Sequence, residues 1–582
     1  RGNPPNLEAV ERPLPRDADL HYVWSRLCPE VRKDYAYLEE IGHVPTLVVP
    51  VQRERDKRYR FEDQLFSRLP YDLQEKLGGF AGDYYCADAD VRSYAVSVGK
   101  MDVPPTRLYK HTESWARAKE YIYSVYDDLF SRETRLTETE ELMPSYNLDT
   151  SAGIPMQQAG LKKKKDVLRS MYGREYMGFI GESYVPLWRV SGKREWLHQD
   201  DIDKDKVRTF IVPPFKLLHQ QKRYFQSQNT AMKMHHWSAY GFNPYQGGVD
   251  RIANILNENP IKVMYDVRGW DRLVPNMRTC YKFRTAFHKG RAKLAAEMVG
   301  QMTCTVVMVL ADGTILIRRN GNCSGSGSTT NDNIICHSFI LAYVLLEMFG
   351  EERVVDQVRA FLFGDDDVLS IPDTGLTDEE IEKYFRTGFG HFGLELDPFL
   401  VSRDLGDMEF LGFKFLNKGD FWYPKYKIER LLAAFCYEYD SKIPLEASIS
   451  KAYALVVMAY PTGGEVYNLM RRAYKLYCRE LADSENPIVQ SFVSLGLPTD
   501  QMLENFYTGK ESSGCLADLF STAGLEVYNI FGHVERDLTG YKGREAPPKV
   551  GGQGNTNSRR DELANNSSGS HARQPGTPGG VA

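Results

Sequence analysis

The sequence predicts an α+β protein made of several cooperating subdomains, and three observations carry that expectation. The chain has 582 residues, more than one ordinary hydrophobic core accommodates. Strand-like and helical pieces alternate between Pro260 and Pro372, whereas residues from 445 to about 531 read mainly as helices. Hydrophobic residues make up 42% and charged residues 26%, the balance of a packed globular chain, and 12% aromatics supply large side chains for burial.

In chain order, residues up to about 110 mix short helical and turn segments such as 54–78. Residues 107–142 carry charged and apolar side chains at helical spacing and predict one or two helices. A polar loop, 145–155, leads into four consecutive lysines, 162–165, and the chain between Trp188 and Phe225 turns basic and extended, punctuated by Pro213-Pro214. Residues 261–266 form a short apolar strand that delivers Asp266 at its end. An apolar helical stretch, 334–349, follows a glycine-serine loop, and 359–371 places apolar runs on both sides of a Gly-Asp turn, a hairpin signal. A helix over 376–392 and a strand over 409–415 complete this part. Residues 544–582 are rich in Gly, Asn, Ser and Pro and hold hardly any large apolar side chain, so 541–582 is expected to be a disordered tail or linker.

Bulk properties exclude some classes and leave others open. A formal net charge of −5 says little about nucleic acid, because a whole-chain sum hides local patches. Nine cysteines without a C-x-x-C pair argue against a disulfide framework or a zinc module and suit a reducing compartment. The run 334–349 is broken by His337, Ser338 and Glu347 and falls short of the roughly 20 apolar residues of a membrane span. The Arg1 start suits release from a longer precursor, frameshifting or trimming.

The chemistry concentrates in carboxylates. Asp266 ends one strand and is followed by Asp271; Asp365, Asp366 and Asp367 crowd the tip of the predicted hairpin. Acidic groups crowded at a tip repel unless a cation compensates, and Mg²⁺ suits because it takes oxygen ligands and shares its shell with phosphates. A pair of such ions roughly 3.5–4 Å apart would stabilise both the attacking and the leaving oxygen of a phosphoryl transfer. Between these acids, Gly321 to Asn333 reads Gly-Asn-Cys-Ser-Gly-Ser-Gly-Ser-Thr-Thr-Asn-Asp-Asn, a loop with hydroxyl and amide side chains capping the apolar helix. A solvated turn at 364–367 and a flexible cap at 321–333 are the bland alternatives for each taken singly.

The order D-x4-D, then S-G-x3-T-x3-N, then G-D-D resembles motifs A, B and C of viral RNA-dependent RNA polymerases of the picorna-like supergroup, closest in wording to astrovirus and potyvirus enzymes. The matching residues are Asp266 with Asp271, Ser324-Gly325 with Thr329 and Asn333, and Gly364-Asp365-Asp366. Thr150, Ser151 and Gly153 resemble motif G at the template entrance, and Lys206 and Arg208 resemble motif F, which holds the incoming triphosphate. Phe410 to Phe415 resembles motif E, and the helix from Leu376 with Gly393 to Pro398 resembles motif D. The resemblance covers roughly 148–416.

That resemblance implies a right-hand fold with an antiparallel palm sheet flanked by helices. Residues 1–259 would be fingers and N-terminal region, 260–275 and 316–429 palm, 276–315 a fingers insertion and 430–540 a helical thumb. Asp266, Asp365 and Asp366 would hold two Mg²⁺ ions, with Mn²⁺ as a substitute. Asp271 with Asn333, and Ser324 or Thr329, would read the ribose 2′-OH. Partners would be template and nascent RNA, NTPs and other viral replication proteins, in a replication complex of the host cytoplasm. The motif D lysine of picornavirus relatives has Val401 in its place here, which leaves the general acid open between Lys383 and Arg403. The runner-up readings are a polymerase of a double-stranded RNA virus and, further off, a reverse transcriptase. The lysines at 162–165 would touch RNA phosphates or lie on a solvated face, the basic Lys193-Arg194 pair would belong to the fingers, and His235-His236 reads as structural.

Overall fold

The computed structural model describes residues 35–44, 59–104 and 112–510, apart from 179 and 182. The expected tail, Cys28 and Cys515, and parts of the segments 54–78, 107–142 and 445–531 lie outside these residues. All that follows concerns the unit that ends at Tyr541.

Four antiparallel strands make the sheet that positions the acidic residues: β1 (Ile261–Val267), β2 (Arg359–Phe363), β3 (Asp366–Ile371) and β4 (Leu396–Ser402), in the order β2-β3-β1-β4. Side chains alternate across each strand, so residues two apart share a face. Ile261, Val263, Tyr265 and Val267 of β1, with Leu362 of β2 and Leu369 and Ile371 of β3, enter the main core. There they meet α1 (Glu113–Glu133), α2 (Thr329–Phe349) and α3 (Asp378–Gly390), and Tyr265 packs its ring against Phe385, Phe389 and Phe399. On the other face Met264, Phe361 and Val368 are covered by Phe410 and Phe413 and by the helix Gly248–Leu256.

A second, five-stranded sheet runs Glu39–His43, Thr314–Arg318, Val306–Val309, Leu187–Gly192, Thr209–Val212, with one parallel pair between Leu187–Gly192 and Val306–Val309. The helices Met277–Thr285 and Gly290–Cys304 lead into it. From Ile428 to Thr508 the described chain is mainly helical, and Leu431 to Tyr507 builds a separate core that also takes in Leu65 to Ala81 from the N-terminal half. Buried Lys451 clamps that junction, pairing with Asp63 at 3.3 Å and with Glu438.

The segment 107–142 holds the two helices expected of it, Glu113–Glu133 and Thr139–Leu142. Two expectations need adjusting: the basic stretch 188–225 keeps its extended pieces before Pro214 and continues as the helix Phe215–Ala231. The single strand expected over 409–415 is two, Glu409–Phe410 and Phe413–Lys418, because Leu411 (φ +48°) and Gly412 (φ +77°) reverse the chain. The helix Thr329–Phe349 is long and apolar enough to cross a bilayer, yet it is packed inside as the central core helix. The seven described cysteines are free.

Candidate active site

Strand pairing brings the distant acids together. Leu369 faces Val263 and Ser370 faces Lys262 across β3 and β1, and one-for-one continuation of that register sets Asp366 opposite Asp266. The backbone amide of Tyr265 donates to the Asp367 side chain (Oδ1, 3.3 Å), and Asp365 and Asp366 both feel the charge of Asp266, so the two strand ends stay close past the paired residues. Phe363 pairs with Asp366, so β2 and β3 are joined by Gly364 and Asp365 alone. Gly364 takes φ +72°, the left-handed value a two-residue hairpin needs at its first position. Asp365 thus occupies the tip, open to solvent like Asp266, while Asp366 is half-buried.

The period of two separates the three consecutive acids. Asp366 shares its face with Val368, and its Oδ2 accepts the Leu411 amide at 2.8 Å, so the Leu411-Gly412 turn supports it. Asp367 shares its face with Leu369 and points into the main core, where its Oδ2 has no hydrogen-bond partner among the described residues. Although solvent touches the Asp365 carboxyl, the protein walls around the tip strip it of bulk hydration and raise it to about 7, with Asp271 and Asp266 adding to the shift and Arg208 opposing it. Asp366 is pushed up to about 8 by burial and then by Asp365. Asp266 is raised too, by burial and by Asp397. These groups are all oxygen donors that destabilise one another's charge, a set that fits hard divalent cations. Among the described residues no three His, Cys, Asp or Glu side chains stand as a ready-made metal cage. A Mg²⁺-type ion needs none, since water and phosphate oxygens complete its shell.

Asp271 sits on the single-turn helix Trp270–Leu273, entered through Gly269 at φ +65°. Its Oδ1 accepts from Asn333 Nδ2 at 3.1 Å, and Asn333 Oδ1 in turn accepts from Asn322 at 2.9 Å. The loop before α2 is tightly held. Gly325 donates to the Ile211 carbonyl, and a Cβ there would lie 2.5 Å from Val212 Cγ1. Thr329 turns its hydroxyl inward to the Cys323 carbonyl at 2.7 Å, where it clasps the loop, while Ser324 stays half-exposed.

Behind Asn333, Asp332 and Arg284 form an ion pair with no solvent exposure. Tyr281 donates to Asp332 at 2.7 Å, and Arg284 reaches Gln228 and Asn229 of the helix Phe215–Ala231. His337, one turn on from Asn333, contacts both β1 and the hairpin tip. Sequence reasoning missed these three. An acid immediately before Asn333 and a histidine inside an apolar run were the only signals.

The cationic side comes from the second sheet. Arg208 forks onto buried Glu195 at 2.5 Å and lies within electrostatic reach of Asp271 and Asp365. Lys206 pairs with half-buried Asp201 at 2.6 Å. The segment resembling motif G abuts the same region: a Cβ at Gly153 would come 2.9 Å from the Pro214 Cα. Ser151 accepts the Gly153 amide, and Thr150 donates to the Asn147 carbonyl at 2.6 Å. Lys163 and Lys165 fold back onto Asp149 and Lys164 donates to the Thr150 hydroxyl, so three of the four lysines are engaged within the chain. Arg194 pairs with Asp88, and His235 and His236 contact the Val125 carbonyl and Tyr121. Val401 pairs in the sheet with Val263, Arg403 is tied to Asp378, and Lys383 lies exposed on α3.

Known proteins match this chain. A family model described as viral RNA-dependent RNA polymerase covers residues 103–477, more than half of the sequence. The genome polyprotein of bean yellow mosaic virus is 23% identical over 365 residues, 59% of this chain and 11% of the polyprotein. That of plum pox potyvirus (strain El amar) is 23% identical over 380 residues, 62% and 24% of the two chains. For zucchini yellow mosaic virus (strain Reunion Island) the values are 24% over 317 residues, 51% and 10%. The chain thus spans between about a tenth and a quarter of the length of these relatives. Carboxylates at the ends of adjacent strands, with Arg208 in electrostatic reach, are an arrangement suited to nucleotidyl transfer. The chain belongs to the viral RNA-dependent RNA polymerase family.

Proposed function

We propose that this chain copies a viral RNA genome by joining NTPs on an RNA template, with Asp266, Asp365 and Asp366 as the ligands of two Mg²⁺ ions. The observation that carries the reading is the register that sets Asp266 beside Asp366, with Asp365 at the tip between them. The four-stranded sheet would be the palm, the five-stranded sheet the core of the fingers, and the helices after Tyr426 the thumb. Asp367, turned into the core, supports the hairpin and ligates nothing.

Phosphoryl transfer needs positioning and charge neutralisation above all. Arg208 and Lys206 bind the triphosphate, whose charge would compete with Glu195 and Asp201 for them. Asp271, oriented by Asn333, accepts a hydrogen bond from the ribose 2′-OH, and the loop at Ser324-Gly325 shapes the floor beneath the nucleotide. The Thr150–Gly153 turn lines the template's entry. Bound divalent ions supply the positive charge that the carboxylates and phosphates jointly require, a role Mn²⁺ can also fill. Other viral replication proteins as partners and a cytoplasmic site of action are expectations of the same reading.

The test is RNA synthesis by the full chain on a defined template, with and without primer, in Mg²⁺ and then in EDTA. Activity in Mg²⁺ that vanishes in EDTA and in Asp365→Ala is expected; full activity of Asp365→Ala overturns the mechanism. Comparing UTP with dTTP separates this reading from a reverse transcriptase.

A further inference from the structure

Beyond the residues of the motif series, a cation from the N-terminal half is brought to the same cleft. Lys100 caps the C-terminal end of the helix Val91–Gly99. That helix is bound on one side to the basic strand: Ser97 Oγ and Thr209 Oγ1 lie 2.8 Å apart, and Thr209 directly follows Arg208. At its start Arg92 pairs with Asp205 at 2.9 Å, beside Lys206. On the other side, the Val103 carbonyl accepts from Asn320 Nδ2 at 3.3 Å. Asn320 precedes Gly321, where a Cβ would fall 2.4 Å from the Asp271 carbonyl oxygen and 2.7 Å from that of Arg272. Hydrogen bonds therefore bracket Lys100 between the strand after Arg208 and the turn that carries Asp271.

The charges agree with that placement. Lys100 is exposed, and its ammonium has no hydrogen-bond or ion-pair partner among the described residues. It feels Arg272 and Lys206 as like charges, and Asp205, the opposite charge within its reach, is already paired with Arg92. Arg272 is half-buried, equally without a side-chain hydrogen-bond or ion-pair partner among the described residues, and feels Arg318 and Arg208 as like charges, with Asp271 partly offsetting them. Like charges gathered and left unpaired are unfavourable unless an anion joins them. The anion that fits is a polyphosphate, since the neighbouring Arg208 reaches Asp271 and Asp365.

We propose that Lys100, with Arg272 beside it, binds the triphosphate of the incoming nucleotide and the pyrophosphate it releases. The inference rests on the polymerase reading and adds a residue from outside the motif segments. One cationic hydrogen bond to phosphate corresponds to roughly a tenfold change in affinity or more.

The test uses the full chain on a primer–template, comparing wild type, Lys100→Ala and Lys100→Arg. Expected for Lys100→Ala are a rise of about tenfold in KM for NTPs and in the pyrophosphate concentration that half-saturates the reverse reaction. Lys100→Arg stays near wild type, and RNA affinity with its salt dependence is unchanged in both. Unaltered KM values overturn the proposal, as does a loss confined to RNA affinity, which would make Lys100 a template contact. Calorimetric binding of a non-hydrolysable NTP with Mg²⁺ runs in parallel and needs no turnover. Wild-type affinity in Lys100→Ala there overturns the proposal even where activity is lost, whereas a wild type that binds NTP and makes no RNA removes the polymerase reading instead.

Discussion

His337 Nδ1 lies 3.3 Å from the carbonyl of Gly364, and its Nε2 lies 2.8 Å from the Tyr265 hydroxyl. A carbonyl can only accept, so Nδ1 carries the proton and Nε2 receives the one from Tyr265. Burial lowers the imidazole from 6.5 to about 4, so the ring stays neutral and keeps this tautomer. One side chain on α2 therefore couples the strand that ends in Asp266 to the turn that presents Asp365. Its role is positioning, since it reaches no substrate.

Replacing His337 tests that coupling. His337→Ala opens a cavity and strands a buried hydroxyl and a buried carbonyl, at about 1–3 kcal/mol for each unpaired group. The expected outcome is a lower melting temperature and a kcat reduced about tenfold to a hundredfold, with KM for NTPs near wild type. Steady-state extension kinetics check it. A KM effect without a kcat effect would show that the ring acts on nucleotide binding and not on the carboxylates.

Gly325 tests the loop before α2 in the same way. An alanine methyl there would meet Val212 Cγ1 at 2.5 Å and the Ile211 carbonyl at 2.6 Å, so the loop or the strand Thr209–Val212 must shift. Small displacements beside a reacting centre cost on the order of a hundredfold in rate. Gly325→Ala is expected to lose activity on that scale while its melting temperature falls by only a few degrees. Retention of activity within about twofold would mean the loop moves freely, contrary to its close packing.

Much of this site was legible in the sequence because its signals are local. The strand ending in Asp266, the Gly-Asp turn and the loop before α2 each follow from spacing and glycine placement, and the paired register brings the first two together. What could not be read is whatever depends on which face a residue occupies. The choice between Asp366 and Asp367 turns on the two-residue hairpin, which a run of three aspartates leaves ambiguous. The turn at Leu411-Gly412 was read as strand because a leucine at positive φ has no signature in composition. Lys100 and Arg284 reach the site only through tertiary packing, so no pattern around them points there.

Asp366 predicts a pH-dependent stability with a definite sign. In the folded chain its carboxyl is raised from 3.8 to about 8, so through that window the folded state keeps a proton the unfolded state has lost. Folding then takes up protons, and stability falls as pH rises. In EDTA, the melting temperature of the wild type is expected to drop between about pH 6 and about pH 8, and that of Asp366→Asn to drop less, by on the order of a degree or two. Mg²⁺ at the higher pH restores the wild type more than the variant, which is inactive. Calorimetric scans with and without Mg²⁺ check this, and parallel pH profiles for the two proteins would remove Asp366 as the source.

The Arg284–Asp332 pair gives the last prediction, because burial makes its worth depend on what replaces it. Both side chains are fully enclosed, and Arg284 also donates to Gln228 and Asn229. Removing one partner leaves the other as an uncompensated buried charge, at about 3–5 kcal/mol, whereas replacing both with apolar groups of similar volume is often nearly neutral. Arg284→Met alone is therefore expected to unfold at a markedly lower temperature, and Arg284→Met with Asp332→Leu to recover most of that loss. Asp332 also anchors the turn of α2 that carries Asn333, which orients Asp271. The double variant should for that reason recover stability without recovering full preference for UTP over dTTP. Thermal melting paired with a nucleotide-competition assay separates the two effects: recovery of both would leave the pair a matter of packing alone, and recovery of neither would mean that Tyr281, Gln228 and Asn229 cannot do without its charge.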